Sequence, residues 1–213
     1  MSSSGVNNKM KVGVLGGTFD PIHIGHLTIA KEVKSSLGLG EVIFITAREP
    51  YFKSHKSVTR VDHRIAMVEL ALCDDPHFRS SDIEANRPGP TYTVDTLIEL
   101  HRRYSCKVEI YLILGMDVAR EINDWKSPRN ISELCTVVAV RRPGIEIPDH
   151  LKGAVASNGS LISISGSDIR QRVYQGKSIK HMVPASVEEY IQENRLYNSK
   201  YKEIEGVNEK IRS

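Results

Sequence analysis

Short apolar runs alternating with helix-spaced segments constrain this chain more than any other feature. Val12-Gly13-Val14-Leu15 ends in Gly16-Gly17 and reads as a buried strand. Leu27, Ala30, Val33 and Leu37 then recur near helical spacing, with Lys31, Glu32 and Lys34 between them, and Gly38 and Gly40 end that helix. Val42-Ile43-Phe44-Ile45 is a second β-branched run. Strand, helix and strand within about 35 residues make a βαβ unit.

The alternation continues down the chain. Residues 60–73 read as a helix with Ile65, Val68 and Leu72 inward, and residues 78–83 as a weaker strand. Residues 93–104 predict a helix, with Thr93 as N-cap and Asp95 in its first turn. Residues 108–114 are a strongly apolar strand, 117–123 a short helix, and 136–140 and 161–164 further strands. Two C-terminal helices begin at Ser165-x-x-Asp168 and Ser186-x-x-Glu189, both with capping-box spacing. Repeated βα units predict an α/β fold with a parallel sheet and helices on both faces. Ligands then bind beyond the carboxyl ends of the strands, where the turns at residues 16–26, 115–117 and 165–170 are expected to meet.

At 213 residues the length fits one domain. We expect polar tails at residues 1–9 and 200–213 around a single domain over 10–199. Lys and Arg total 29 against 26 Asp and Glu, and a net charge of +3 is too small for a nucleic-acid coat or a polybasic membrane anchor. No run of about 18 apolar residues predicts a membrane span. The three cysteines, Cys73, Cys106 and Cys135, are odd in number and lack a Cys-x-x-Cys. They are read as small hydrophobes in a cytoplasmic protein rather than as disulfide or zinc ligands.

The first turn reads Gly16-Gly17-Thr18-Phe19-Asp20-Pro21-Ile22-His23-Ile24-Gly25-His26. It is neither a dinucleotide fingerprint nor a P-loop. Its histidines stand three apart at a helix start, so both rings can face one side. Gly25 lets a ligand approach the backbone, and the helix N-terminus favours an anion. An imidazole donor aimed at a phosphate oxygen stabilises developing charge by roughly 3–4 kcal/mol. A metal pair is the rival reading, with Asp20 as the sole nearby third ligand.

This turn resembles the H-x-G-H nucleotidyltransferase superfamily, and GGTFDPIHIGHL resembles bacterial nicotinate-mononucleotide adenylyltransferases in particular. Further segments resemble that family in order: Arg87 to Leu97 with Tyr92-Thr93, Gly115-Met116-Asp117 followed by Trp125, Val140 to Gly144, Ile164 to Arg170, and Val183 to Tyr197. The resemblance implies a Rossmann-like fold with C-terminal helices. It also implies transfer of AMP from ATP to nicotinate mononucleotide, giving nicotinate adenine dinucleotide and pyrophosphate. Mg²⁺ arrives with the ATP, since no carboxylate cluster is available to hold it.

By that resemblance His26, His23 and Arg170 are the catalytic residues. ATP falls to Gly16, Gly17, Thr18, Phe19, Gly25, Lys53, Gly115, Asp117, Ser165, Ser167 and Ile169. The nicotinate nucleotide falls to Tyr92, Thr93, Trp125 and Arg142. Other readings stand beside several of these. On general grounds a lone tryptophan such as Trp125 more often serves core packing, Asp117 reads as a helix cap, Arg142 as a solvated surface residue, and Asp168 as a cap. The partners are ATP and nicotinate mononucleotide, with neither nucleic acid nor membrane, and a homodimer is the oligomer considered.

Two departures from the family pattern stand out. The loop Pro50-Tyr51-Phe52-Lys53-Ser54-His55-Lys56 replaces Pro-Pro-His-Lys, so either Lys53 or Lys56 matches the family lysine. Ser165-Gly166-Ser167 replaces Ser-Ser-Thr. The rival functions are a nicotinamide-mononucleotide or phosphopantetheine adenylyltransferase and, from another class, a non-catalytic nucleotide sensor.

Overall fold

A computed structural model describes residues 9–48, 58–87, 89, 91–105, 107–141, 155–158 and 164–198, with 141 and 155–158 described in backbone only. Among these residues six strands form one parallel sheet: β1 (Met10–Gly17), β2 (Glu41–Thr46), β3 (Phe78–Ser81), β4 (Val108–Gly115), β5 (Thr136–Arg141) and β6 (Val155–Asn158). Their order is β3-β2-β1-β4-β5-β6, with every neighbouring pair parallel. The direction of winding reverses between β1 and β4. In an open α/β sheet that reversal opens a crevice at the carboxyl edge.

Among the described residues seven helices cover the sheet: α1 (Ile24–Leu37), α2 (Val61–Leu72), α3 (Thr93–Arg103), α4 (Met116–Ala119), α5 (Pro128–Leu134), α6 (Gly166–Tyr174) and α7 (Ala185–Glu193). Strand alternation decides which helix meets which side chain. Leu15, Val42, Phe44, Ile113, Val138 and Val140 face Ala30, Val33, Met67, Val68, Ile169, Val187 and Ile191 of α1, α2, α6 and α7. Val12, Val14, Ile43, Ile45, Leu112, Leu114 and Ala139 face Val94, Leu97, Leu100, Ala119 and Ile131 of α3, α4 and α5. Each fully buried Val, Ile or Leu contributes about 1.5–3 kcal/mol, so the two-layered core holds the sheet and with it the loops at its edge. The central strands are buried on both faces, which is why they read as continuous apolar runs.

The helix ends follow local chemistry. Gly38 ends α1 in the left-handed region (φ 62°) and donates its N–H to Lys34 O. Ser165 caps α6, its Oγ accepting from Asp168 N at 3.1 Å.

Several expectations need correction. Thr93 is the first residue of α3, and Tyr92 is the N-cap. Ser186 does not cap α7; Pro184 holds that position, and Ser186 Oγ donates to Leu70 O across the core. The 117–123 helix divides into α4 and a 3-10 turn at Ile122–Asp124, with Asp117 inside α4. Helix α5 was not foreseen. Pro128 starts it after Ser127 in the left-handed region, and Ile131 is its one fully buried residue, so it shows no apolar stripe. A sixth strand lies at Val155–Asn158, where none is expected from the sequence, and the strand expected at 161–164 falls, except for Ile164, outside the described residues. Among the described residues no helix is long and apolar enough to cross a membrane.

Candidate active site

Strand β1 delivers the turn 16–26 to the carboxyl edge of the sheet. His23 is the N-cap of α1 in extended conformation, and His26 is the third helical residue. Their rings stack with centroids 3.7 Å apart and planes 24° from parallel. The His23 main-chain N–H donates to His26 Nδ1 at 3.2 Å. That nitrogen is therefore an acceptor, and the neutral ring carries its proton on Nε2. His23 is 8% exposed. Burial pushes its imidazole down to about 4, so it is uncharged at neutral pH and adds no repulsion to the stacked pair. Its buried Nδ1 has no hydrogen-bond partner among the described residues.

Phe19 braces this pair from below, its ring edge-on to His26 at 5.1 Å. Its side chain is buried, so only its backbone can meet a ligand. Its φ of 48° is unusual for an aromatic residue and costs about 1–3 kcal/mol unless neighbours enforce it. Gly17 allows the ring to lie where it does, since a Cβ there would stand 2.9 Å from it. Gly16 and Gly115 are exposed, and a Cβ at either would meet nothing within 4 Å. Gly25 is buried in the first turn of α1.

Asp20 ties this turn to distant parts of the chain. Its buried carboxylate accepts from Thr59 N at 3.3 Å and from Tyr197 Oη at 2.7 Å. Arg170 donates Nη1 to Asp20 O at 2.6 Å and lies 3.7 Å from Asp20 Oδ2. Burial, together with the Asp20 charge, pushes the Tyr197 hydroxyl well above its ordinary value, so it remains a donor. Asp20 is the one carboxylate in the turn, and its oxygens are already engaged. Among the described residues no group of three His, Cys, Asp or Glu is arranged to hold a metal ion.

The Ser165–Arg170 segment reaches the same place. A Cβ on Gly166 would stand 2.8 Å from Asp20 O, closer than real Cβ contacts come. Glycine in place of the family serine therefore lets α6 press its N-terminus onto the histidine turn. Ser165 and Ser167 are exposed there, with their hydroxyls 3.0 Å apart. Ile169 is wholly buried in the core, so only its backbone is available. Asp168 gives its main-chain N–H to Ser165 Oγ, and its carboxylate lies 3.5 Å from Arg172 Nε. The expected convergence of the 16–26 and 165–170 turns is thus present.

Arg64 is the functional neighbour that was not foreseen. It is 1% exposed and donates to four carbonyls: Thr18 O and Ala47 O at 2.7 Å, Thr59 O at 2.8 Å and Arg48 O at 2.9 Å. It occupies the inward position expected of Ile65, which is only half-buried. The signal was its place four residues before Val68 and eight before Leu72, on the buried stripe of α2.

A second recess lies beside α3. A cavity of about 370 Å³ is lined by Thr91, Tyr92, Thr93, Asp124, Trp125, Lys126 and Ile131. Tyr92, Thr93 and Trp125 are thus brought together as expected. The Trp125 indole N–H is buried without a partner among the described residues. Thr96 Oγ1 donates to half-buried Glu84 at 2.9 Å and accepts from Arg87 at 3.1 Å, which steadies the start of α3. Burial pushes the Glu84 carboxyl above its usual range. Asp117 is exposed in α4, just past the end of β4, the strand beside β1. Lys53 and Arg142, with the rival Lys56, lie outside the described residues.

Residues 14–172 match the cytidylyltransferase-like family. A relative from Dehalococcoides mccartyi (strain CBDB1), named a probable nicotinate-nucleotide adenylyltransferase, is 45% identical over 88% of this chain and 97% of its own. One of the same name from Thermomicrobium roseum is 40% identical over 89% of this chain and 92% of its own. Among solved structures, the Plasmodium falciparum nicotinic acid mononucleotide adenylyltransferase complexed with NaAD superposes with a TM-score of 0.74. That match covers 88% of this chain and 97% of the other at 21% identity, and it speaks to the fold. The chain belongs to the cytidylyltransferase-like family and, within it, to the nicotinate-nucleotide adenylyltransferases.

Proposed function

We propose that this chain transfers AMP from ATP to nicotinate mononucleotide, releasing pyrophosphate and forming nicotinate adenine dinucleotide. The observation that carries the reading is the stacked His23–His26 pair at the start of α1, on a turn whose Asp20 carbonyl lies against the N-terminus of α6 at Gly166. A phosphate oxygen of the mononucleotide attacks the α-phosphorus of ATP in line. The bond to the oxygen bridging the α- and β-phosphates breaks, and that electron pair leaves with pyrophosphate. No covalent enzyme intermediate is needed, so positioning and charge stabilisation account for the catalysis.

His26 donates from Nε2 to the α-phosphate, because Nδ1 is already an acceptor. His23, buried and uncharged, donates to the phosphate chain. The guanidinium of Arg170, oriented by Asp20, and the hydroxyls of Ser165 and Ser167 take the β- and γ-phosphates. Gly16, Gly17, Thr18, Phe19 and Ile169 contribute backbone, and the bare surfaces of Gly16 and Gly115 leave room for ATP. Asp117 accepts from the adenosine ribose. Trp125 stacks on the pyridine ring, with the first N–H groups of α3 at Tyr92 and Thr93 directed to its carboxylate. Lys53 and Arg142 are assigned to the phosphates and the nicotinate nucleotide on family resemblance. Mg²⁺ is proposed to enter on the triphosphate, because Asp20 has no oxygen to spare.

Pyrophosphate release with ATP and each candidate acceptor tests the reading. Release with nicotinate mononucleotide, exceeding that with nicotinamide mononucleotide or phosphopantetheine, is the expected result. Tight ATP binding with no pyrophosphate from any acceptor points instead to a nucleotide sensor.

A further inference from the structure

Lys126 belongs to the Trp125 cavity and is held in place. Its ammonium lies 4.2 Å from the centroid of the Tyr92 ring and 3.3 Å from Asp95 Oδ2. Both side chains of the ion pair are nearly half exposed, at 48% and 40%, and a pair so placed contributes little to stability. Its position bears on charge instead. The cavity wall carries Asp124, and Asp95 stands behind Lys126 in the first turn of α3. Without Lys126 the two carboxylates would make the recess repel an anion, although Tyr92 leaves the α3 N-terminus without a side-chain cap.

We propose that Lys126 is a specificity-determining residue, whose ammonium offsets Asp95 and Asp124 so that the Trp125 cavity accepts a pyridine carboxylate in preference to the neutral carboxamide. This deepens the adenylyltransferase reading and rests on it. Coulomb attraction acts on the acid and scarcely on the amide, so the substrate ratio is the quantity that moves.

The test compares kcat/KM for nicotinate and nicotinamide mononucleotides in wild type, Lys126→Met, Lys126→Arg and Asp95→Asn. Trp125 is the sole tryptophan, so quenching of its fluorescence measures the affinity of both nucleotides independently of turnover. Lys126→Met should lower the acid-to-amide ratio by about tenfold in both measurements, Lys126→Arg should restore it, and Asp95→Asn should raise it. The Lys126→Met effect should shrink in high salt. Equal losses for both nucleotides, or an unchanged ratio, overturn the assignment. Failure of the wild type to release pyrophosphate with nicotinate mononucleotide would instead sink the underlying function.

Discussion

The phenol of Tyr197 donates to Asp20 Oδ1 at 2.7 Å, joining residues 177 positions apart and locking the C-terminal segment onto the histidine turn. Tyr197→Phe removes the donor and leaves a buried carboxylate under-satisfied, at a cost of about 1–3 kcal/mol. Thermal unfolding should register a lower Tm. An unchanged Tm would mean that the contact adds nothing to the fold.

His26→Ala should leave the far-ultraviolet spectrum and Tm close to wild type while cutting turnover by at least about a hundredfold. Steady-state kinetics at saturating ATP decide the matter. Near-normal turnover removes His26 from the chemistry.

His23 makes stability depend on pH. Its folded value of about 4 lies below the ordinary 6.5, so between these limits the unfolded chain binds the extra proton. Stability is therefore fully present above pH 6.5 and falls as pH drops toward 4, by up to about 3 kcal/mol. Urea unfolding at pH 7 and pH 4.5 should show this loss in wild type and a smaller one in His23→Asn. Parallel losses in the two proteins would assign the acid sensitivity elsewhere.

Gly166→Ala places a methyl group 2.8 Å from Asp20 O, and backbone must move to accept it. The expected cost is about 1–3 kcal/mol, with a raised KM for ATP as Arg170 loses its seat. An alanine variant with wild-type Tm and KM would show that the α6 N-terminus is free to shift.

Trp125→Ala should raise the KM for the mononucleotide more than that for ATP. Equal effects on the two would place the indole outside the pyridine recess.

The parts legible in the sequence share a physical reason. β1, β2, β4 and β5 announce themselves because they are buried on both faces, and the histidine pair because one helical turn contains it. α5 and β6 do not: the first buries only Ile131 fully, and the second is four residues at a sheet edge. The Asp20 contacts with Arg170 and Tyr197 span 150 and 177 residues, and no local pattern encodes a partner that far away. Gly166 looked like a departure from the family serine, and its reason appeared only with Asp20 O beside it.

Arg64 grips Ala47 and Arg48 on one side and Thr59 on the other, with Thr18 between them. One guanidinium thereby pins three separate stretches of backbone, and its loss would leave four carbonyls to find new donors at once. The turn that carries the histidines is thus held in place by a side chain from α2, through Thr18 O.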